Sequence, residues 1–202
     1  WGSGLLHAVP TDFLDNVRFA LVRGPVSAAL LGLKVTRFGD PGLLARDLLD
    51  DLPPQNDRIG LVPHHKQLED PRIRAALSRD PALQLIDARE DPLRVCRQIA
   101  SCRHVIASSL HGLVVADSCG IGSTWMSPGD ESHLKYHDYA AGIGRQMIAP
   151  VQIAEIPEAL HGLKDGARLA HADGIDRART ALIETFPDAL RTTTHSAGHQ
   201  EM

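Results

Sequence analysis

Short runs of apolar residues alternate with helix-forming segments along most of this chain of 202 residues. The runs that we predict to be strands occupy residues 17–22, 58–62, 83–86, 105–107 and 122–126. Strands that are apolar throughout, rather than at every second position, are typical of a parallel sheet covered by helices on both faces. The alternation therefore predicts an α/β fold of Rossmann-like type.

The predicted helices have recognisable beginnings. Aspartate followed by proline occurs at Asp40, Asp70 and Asp91, and this pair suits a helix start because aspartate caps the helix and proline fits its first turn. Two further helices are predicted over about residues 133–141 and 175–185, the second of them amphipathic. Each strand is thus followed by a helix that can cover the sheet.

Composition places the chain among ordinary globular proteins, with 43% hydrophobic and 23% charged residues. We expect a single domain over residues 1–188 and a disordered polar tail over 189–202. The formal net charge of -4, without a basic run, argues against a nucleic acid as partner. Since no apolar run approaches the roughly 20 residues that cross a bilayer, we expect a soluble, intracellular protein. We also expect reduced thiols at Cys96, Cys102 and Cys119, because the three cysteines form neither a CxxC pair nor an even set for disulfides.

Polar residues stand where several of the predicted strands end. In open parallel sheets the ligand binds beyond these carboxyl ends, so the residues that follow the strands are candidates for one common site. The strand ends deliver, in chain order, Arg23, His64 and His65, the run Ser108-Ser109-Leu110-His111-Gly112, and Ser127, Asp130 and Glu131. Arginine, histidines and a helix start therefore converge at one edge of the predicted sheet.

The junction over residues 108–112 has the features of an anion site. It lies between a buried strand and an apolar helix, and a helix N-terminus offers unpaired N–H groups with partial positive charge. The alternative is that Ser108 or Ser109 merely caps the helix while His111 is packed or solvated. The turns carry neither a Walker A sequence nor a GxGxxG fingerprint, which argues against a P-loop NTPase or a dehydrogenase.

Several segments, taken in order over roughly residues 1–140, carry a family resemblance. They are Trp1-Gly-Ser-Gly4, Val22-Arg-Gly-Pro25 with Ser27, Gly39-Asp-Pro-Gly-Leu-Leu44, Ile59-Gly-Leu-Val-Pro-His64, Asp91-Pro-Leu93, Val105-Ile-Ala-Ser-Ser-Leu-His-Gly112 with Ala116-Asp117, and Lys135-Tyr136 with Asp138-Tyr139. Together they resemble the polysaccharide pyruvyltransferases, which transfer pyruvate from phosphoenolpyruvate to a sugar as a ketal. The resemblance implies one half of a GT-B-type fold, and we expect the chain to be the C-terminal part of a longer two-domain protein.

The resemblance also implies roles for individual residues in a site that needs no metal and no other cofactor. The implied catalytic residues are His111, as general acid or phosphate ligand, and His64, as a second group at the donor. The implied substrate-binding residues are Arg23, Ser108, Ser109, Leu110, Gly112, Lys135 and Tyr136. Two alternatives stay open: Arg23 could pair with an acidic residue, and Tyr136 could pack in the core. Of the adjacent His64 and His65, only one is expected to face the cleft.

The expected function is therefore pyruvyl transfer to a saccharide or lipid-linked oligosaccharide acceptor of exopolysaccharide synthesis. A cytoplasmic location follows from that expectation, with peripheral association at the inner face of a bacterial inner membrane as an option. Two alternatives are a GT-B-type glycosyltransferase that uses a nucleotide sugar and a non-catalytic saccharide- or phosphate-binding module. His133 and His137 lie four residues apart without a third ligand, so we expect a solvated helix face there rather than a metal site.

Overall fold

The computed structural model describes residues 1–10, 12–163 and 168–191. Its strands are β1 (Ile59–Val62), β2 (Leu83–Leu85), β3 (His104–Ala107) and β4 (Gly122–Trp125). They form one parallel sheet in the order β2-β1-β3-β4. The helices are α1 (Pro25–Leu30), α2 (Pro71–Arg79), α3 (Pro92–Ser101), α4 (Leu110–Ser118), α5 (Leu134–Ile143), α6 (Ile156–His161) and α7 (Ala172–Thr185).

Both faces of the sheet are covered, which confirms the predicted α/β fold. Val105 and Ala107 of β3 belong to a core with α3 and α4, whereas Ile106 between them belongs to a second core with α2 and α6. Successive residues of a strand point to opposite faces, so a strand buried on both sides must be apolar throughout. The continuous apolar runs therefore encoded a sheet enclosed by helices.

The strand predicted over residues 17–22 is wrong. Within the described part of the chain, Val22 makes isolated parallel bridges to Ser3 and Phe38, and the residues before it are not paired as a strand. Val17 is 43% exposed, and Arg18 interrupts the apolar run. A strand needs a neighbour along its length, and here only the last residue of the run reaches one.

The predicted helix starts at Asp40-Pro41, Asp70-Pro71 and Asp91-Pro92 are confirmed. The side chains of Asp40, Asp70 and Asp91 accept hydrogen bonds from backbone N–H groups of the first turn that follows, with donor–acceptor distances of 2.8–2.9 Å. The segment after Asp40 forms a 3-10 helix, Pro41–Leu48, rather than an α-helix. Capping is a local interaction, which explains why it could be predicted from neighbouring residues alone.

Helix α4 lies at the centre of the protein. It packs against β3, β4, α3, α7 and the 3-10 helix Pro41–Leu48, so that its residues are buried on nearly every side. Gly112 permits this close packing, because a Cβ at that position would lie 3.0 Å from both the Ala107 Cβ and the Val62 Cγ1. The N-terminus of α4 is thereby held directly against the carboxyl ends of β1 and β3.

Three further predictions concern membrane-spanning helices, the cysteines and the C-terminal tail. None of the helices among the described residues is long and apolar enough to cross a membrane. The three cysteines are free, and burial raises the thiol pKa, to about 11 in the case of Cys119. Of the tail predicted over 189–202, the part from residue 192 onward lies outside the described residues, and Asp188–Leu190 form a short 3-10 turn.

Candidate functional site

A cavity of about 510 Å³ lies at the carboxyl-end edge of the sheet. Six of the residues predicted for the site line it, namely Arg23, His64, Ser109, Leu110, His111 and Lys135. The other lining residues are Leu6, His65, Ala88 and Arg89. No aspartate or glutamate is among these lining residues, so the cavity is surrounded by cationic, neutral and imidazole groups. Such an environment favours an anionic ligand.

Arg23 is buried in the wall of this cavity and is held from behind. Its Nε donates to the Asp138 Oδ2 over 3.0 Å, and its Nη2 donates to the Leu5 carbonyl over 2.9 Å. The buried Asp138 carboxylate also accepts from the Ser27 N–H over 2.8 Å and from the Ser27 hydroxyl over 2.6 Å. Arg23 therefore pairs with an acidic residue, as the alternative interpretation had it. This pairing orients the guanidinium, and Arg23 lines the cavity as well.

The junction before α4 is both a cap and a candidate anion site. The Ser109 hydroxyl caps the helix by accepting from the Gly112 N–H over 3.4 Å. The N–H groups of Leu110 and His111 belong to the first turn, where helix geometry offers no carbonyl acceptor. Leu110 and His111 both line the cavity, so these two donors and the positive end of the helix belong to its wall.

Ser108 does not line the cavity, contrary to its predicted role in substrate binding. It is fully buried, its hydroxyl donates to the Gln67 Oε1, and the same oxygen accepts from the His64 N–H over 2.8 Å. Gln67 in turn donates through Nε2 to the Ser127 carbonyl over 3.0 Å. This chain of hydrogen bonds ties together the loops that follow β1, β3 and β4, so Ser108 supports the site rather than contacting a ligand.

Gly112 and Tyr136, which were also predicted to bind substrate, are not among the residues that line the cavity. The Gly112 N–H is already bound by the Ser109 hydroxyl. The Tyr136 hydroxyl donates to the Ser108 carbonyl, and its ring stacks on Trp125 with 5.0 Å between ring centroids. Burial raises the pKa of Tyr136 well above its usual value, so this hydroxyl keeps its proton. The packing interpretation of Tyr136 agrees with this placement.

His64 and His65 both line the cavity, whereas only one of them was expected to do so. Their ring centroids are 4.2 Å apart. The expectation assumed strand geometry, but β1 ends at Val62 and His65 begins the 3-10 turn His65–Gln67. Once the chain leaves the strand, neighbouring side chains no longer point to opposite faces.

The environment of His64 favours a neutral imidazole. Burial lowers its pKa below the ordinary value of 6.5, and the positive charge of Lys135 and the neighbouring His65 lower it further, while Glu131 opposes them. Its Nδ1 is buried and finds no hydrogen-bond partner within the described structure. A neutral imidazole in the cavity lining can accept a proton from a bound hydroxyl group.

His111 and Lys135 stand at the more open part of the site. The His111 side chain is 69% exposed, and its Nε2 lies 3.5 Å from the Asp40 Oδ1, which is longer than a good hydrogen bond. Lys135 is half-buried, and burial together with the charges of Arg23 and Lys66 lowers its pKa, against the opposing effect of Glu131. Glu131 itself is paired with Lys66 at the rim.

Two residues that matter to the site were not predicted. Arg89 lines the cavity just after β2, and the rule used for the other strand ends would have found it. Gln67 was missed because its partner Ser108 is remote in the chain. Asp138 belongs to the segments that carry the family resemblance, but its pairing with Arg23, which is equally remote, was not predicted. His133 and His137 pack edge-on against Trp125, and no group of three or more potential metal ligands occurs among the described residues.

Fold and site together define an α/β protein with a cavity at the carboxyl edge of a parallel sheet, lined by cationic and imidazole groups. A family model described as "Polysaccharide pyruvyl transferase" matches residues 11–130, which is more than half of the chain. The chain belongs to this family.

A curated relative, an uncharacterised protein of Acanthamoeba polyphaga mimivirus, is 30% identical over 117 residues. The match covers 53% of this chain and 40% of the viral protein, so the chain spans well under two thirds of the length of that relative. No solved structure matches the chain significantly.

Proposed function

We propose that this protein transfers pyruvate from phosphoenolpyruvate to a saccharide acceptor as a ketal, without a metal. The observation that carries the proposal is the cavity of about 510 Å³, which Arg23, Lys135 and the N-terminus of α4 line and no carboxylate lines. Phosphoenolpyruvate carries a carboxylate and a phosphate on a small carbon frame. Guanidinium, ammonium and oriented N–H donors are the groups that bind both kinds of anion.

The proposed reaction assigns a different task to each group. His111 donates a proton to the methylene carbon of phosphoenolpyruvate, or binds its phosphate, and the protonated donor becomes electrophilic at its central carbon. A sugar hydroxyl adds there and loses its proton to neutral His64, and the bond between the central carbon and the phosphate oxygen breaks. A second hydroxyl of the sugar then adds at the same carbon and gives its proton to the departing phosphate. Arg23, Lys135 and the N–H groups of Leu110 and His111 hold the anions while the phosphate leaves.

The acceptor that we propose is a saccharide or lipid-linked oligosaccharide of exopolysaccharide synthesis. The proposed place of action is the bacterial cytoplasm, at the inner face of the inner membrane. The size of the cavity supports an acceptor beside the donor, because cavities of about 300–1,000 Å³ hold ligands much larger than phosphoenolpyruvate.

Ligand-dependent stabilisation tests the donor. Phosphoenolpyruvate should raise the unfolding temperature of the wild type, since a ligand at a hundred times its dissociation constant adds about 2.7 kcal/mol to stability. His111→Ala should reduce this stabilisation and should slow any pyruvyl transfer by about tenfold or more. His161→Ala, an exposed histidine on α6, is the matched control and should change neither.

Two results would contradict the proposal. Stabilisation by nucleoside diphosphates but not by phosphoenolpyruvate would favour a glycosyltransferase with a nucleotide-sugar donor. Donor binding without transfer to any acceptor in a protein of full family length would favour a non-catalytic binding module.

A further inference from the structure

Arg89 lines the cavity, but the proposed reaction assigns it no contact with phosphoenolpyruvate. The donor's carboxylate and phosphate already have Arg23, Lys135 and the N-terminus of α4 as partners in the proposed reaction. Arg89 adds a guanidinium to the same lining, and neither the family match nor the sequence prediction gives it a role. Its position relative to the donor groups decides what it can bind.

The register of the sheet places Arg89 at one end of the cavity. Leu85 in β2 and Ile106 in β3 are both in register with Leu61 in β1, one on each side. Arg89 follows Leu85 by the same number of residues as Leu110 follows Ile106. Because neighbouring strands are ~4.8 Å apart, the end of β2, which precedes Arg89, lies roughly 10 Å along the sheet edge from the end of β3, which precedes α4.

The guanidinium of Arg89 is oriented by its own loop. Its Nε lies 3.0 and 3.1 Å from the two carboxylate oxygens of Asp87, and its Nη2 lies 2.7 Å from one of them. Asp87 also accepts from the Arg89 N–H over 2.9 Å, which fixes the turn. These bonds use Nε and Nη2, so that among the described residues the Nη1 donors remain for a ligand.

The neighbours of Arg89 leave room for such a ligand. Ala88, beside it, presents only a methyl group to the cavity, and the Asp87 carboxylate does not line it. A ligand in this part of the cavity therefore meets the guanidinium without facing the carboxylate directly. The Asp87 carboxylate balances the charge of Arg89, whose side chain is 61% exposed, so the remaining Nη1 donors supply the directional contact with which a guanidinium binds an oxyanion.

We propose that Arg89 forms an acceptor-side anion subsite, which binds a phosphate or carboxylate group carried by the acceptor saccharide. The inference rests on the proposed function, because it assigns the other end of the cavity to phosphoenolpyruvate. A phosphate attached to the sugar and a uronic acid carboxylate offer the same oxyanion chemistry to a guanidinium fork. The acceptor is then recognised partly by charge, in addition to the hydroxyl groups that react.

Calorimetric titration of the protein in saturating phosphoenolpyruvate tests this subsite. The probes are glucose 1-phosphate, methyl glucuronide and, as a neutral comparison, methyl glucoside. At least one of the two anionic probes should bind more tightly than the neutral one, and the stronger of them identifies phosphate or carboxylate as the preferred group. Arg89→Gln should weaken that binding about ten- to a hundredfold, as expected for loss of a charge-assisted contact.

The chain offers a closely matched control. Arg72 makes the same fork with an aspartate two residues earlier, with 2.7 Å between its Nη2 and the Asp70 Oδ2, but it lies at the start of α2 and does not line this cavity. Arg72→Gln should leave binding of every probe unchanged. Arg89→Lys keeps the charge without the fork and should recover part of the affinity that Arg89→Gln loses.

The outcomes separate this inference from the proposed function. Equal affinity of Arg89→Gln and wild type for the anionic probes, equal binding of the neutral glycoside, or no anionic probe bound at all would each overturn the subsite. Loss of phosphoenolpyruvate affinity in Arg89→Gln would assign Arg89 to the donor and overturn it as well. Failure of the wild type to bind phosphoenolpyruvate would instead contradict the proposed function.

Discussion

Asp138 is the residue on which the orientation of Arg23 depends. Asp138→Asn removes the charge that balances the guanidinium and places an amide N–H group against donors from Arg23 or Ser27. Because breaking a buried ion pair leaves a buried charge uncompensated, we expect the free energy of unfolding to fall by about 3–5 kcal/mol. Urea denaturation measures this loss, and calorimetry should show weaker binding of phosphoenolpyruvate.

An exposed ion pair provides the control for Asp138. Asp173 pairs with Arg168, with 2.7 Å between the nitrogen and the oxygen, but both side chains are largely in solvent. Asp173→Asn should therefore leave stability and donor binding nearly unchanged. If Asp138→Asn is too unstable to study, Ser27→Ala removes the hydroxyl that donates to the same carboxylate and accepts from the Leu5 N–H, and each lost hydrogen bond should cost about 1 kcal/mol. Wild-type donor affinity in both Asp138→Asn and Ser27→Ala would show that Arg23 does not need this support.

His64 should make the stability of the protein sensitive to mild acid. Its pKa is lower in the folded state than the ordinary 6.5, since burial, Lys135, His65 and Lys66 all disfavour the imidazolium more than Glu131 favours it. The unfolded chain thus binds the proton more readily, and the stabilising contribution is complete above about pH 6.5 and is lost as the pH falls through the lowered pKa.

Denaturation curves between about pH 5 and 8 measure this contribution. His64→Gln should flatten the dependence of unfolding free energy on pH in that range, while His161→Gln on exposed α6 should retain the wild-type slope. An unchanged slope in His64→Gln would mean that other groups carry the acid sensitivity.

Gly112 sets how closely α4 approaches the sheet. A Cβ there would meet the Val62 and Ala107 side chains at 3.0 Å, which is closer than ordinary van der Waals contact, so Gly112→Ala must displace the helix by a few tenths of an ångström. We expect a loss of about 1–3 kcal/mol in unfolding free energy from this overpacking. The same displacement moves the N–H groups at the helix start, so the affinity for inorganic phosphate should also fall.

Gly162, after α6, is the matched position for that experiment. Its nearest contact for an added Cβ is the Ala159 carbonyl oxygen at 3.8 Å, and its φ of -91° suits any residue. Gly162→Ala should therefore leave phosphate affinity unchanged and alter stability by less than about 1 kcal/mol. Equal effects of the two substitutions would show that the position of α4 is not set by the glycine contact.

The elements that were predicted correctly are those with local signals. The aspartate caps at Asp40, Asp70 and Asp91 depend on residues within one turn, and the two central strands, β1 and β3, are mainly apolar runs. The prediction over residues 17–22 was wrong because a strand depends on a distant partner along its whole length. Length and hydrophobicity of a segment do not reveal whether such a partner is present.

Only part of the candidate site could be predicted from the sequence. That His64 and His111 would meet at one edge followed from the direction of parallel strands, which the order of elements determines. Arg23 lines the same cavity although the strand predicted before it does not form. Which side of the backbone each side chain occupies did not follow, because that depends on contacts across the fold. Ser108 turns toward Gln67 and Tyr136 toward Trp125, and neither partner is a neighbour in the chain.

Buried Asp117 connects the last part of the chain to the centre of the protein. It lies in α4 and binds Arg145 after α5, with both oxygens 2.9 Å from Nη1, and His171 before α7, whose Nε2 lies 3.0 Å from Oδ1. Tyr139 donates to the same carboxylate over 2.8 Å. Arg145 also reaches β4 by donating to the Ser123 hydroxyl and carbonyl. One ionic cluster therefore joins the sheet to three helices.

Removal of Arg145 should loosen this connection without touching the cavity. Arg145→Met retains much of the side-chain volume but leaves the Asp117 carboxylate buried without its guanidinium, so the unfolding free energy should fall by about 3–5 kcal/mol. Hydrogen exchange should rise first in α7, which depends on this cluster and on packing against α5. Arg177→Met, on the exposed side of α7, should change neither quantity. Faster exchange in α2 and β2 as much as in α7 would mean that the protein opens as one unit, so that the cluster stabilises the fold globally rather than anchoring its last helix.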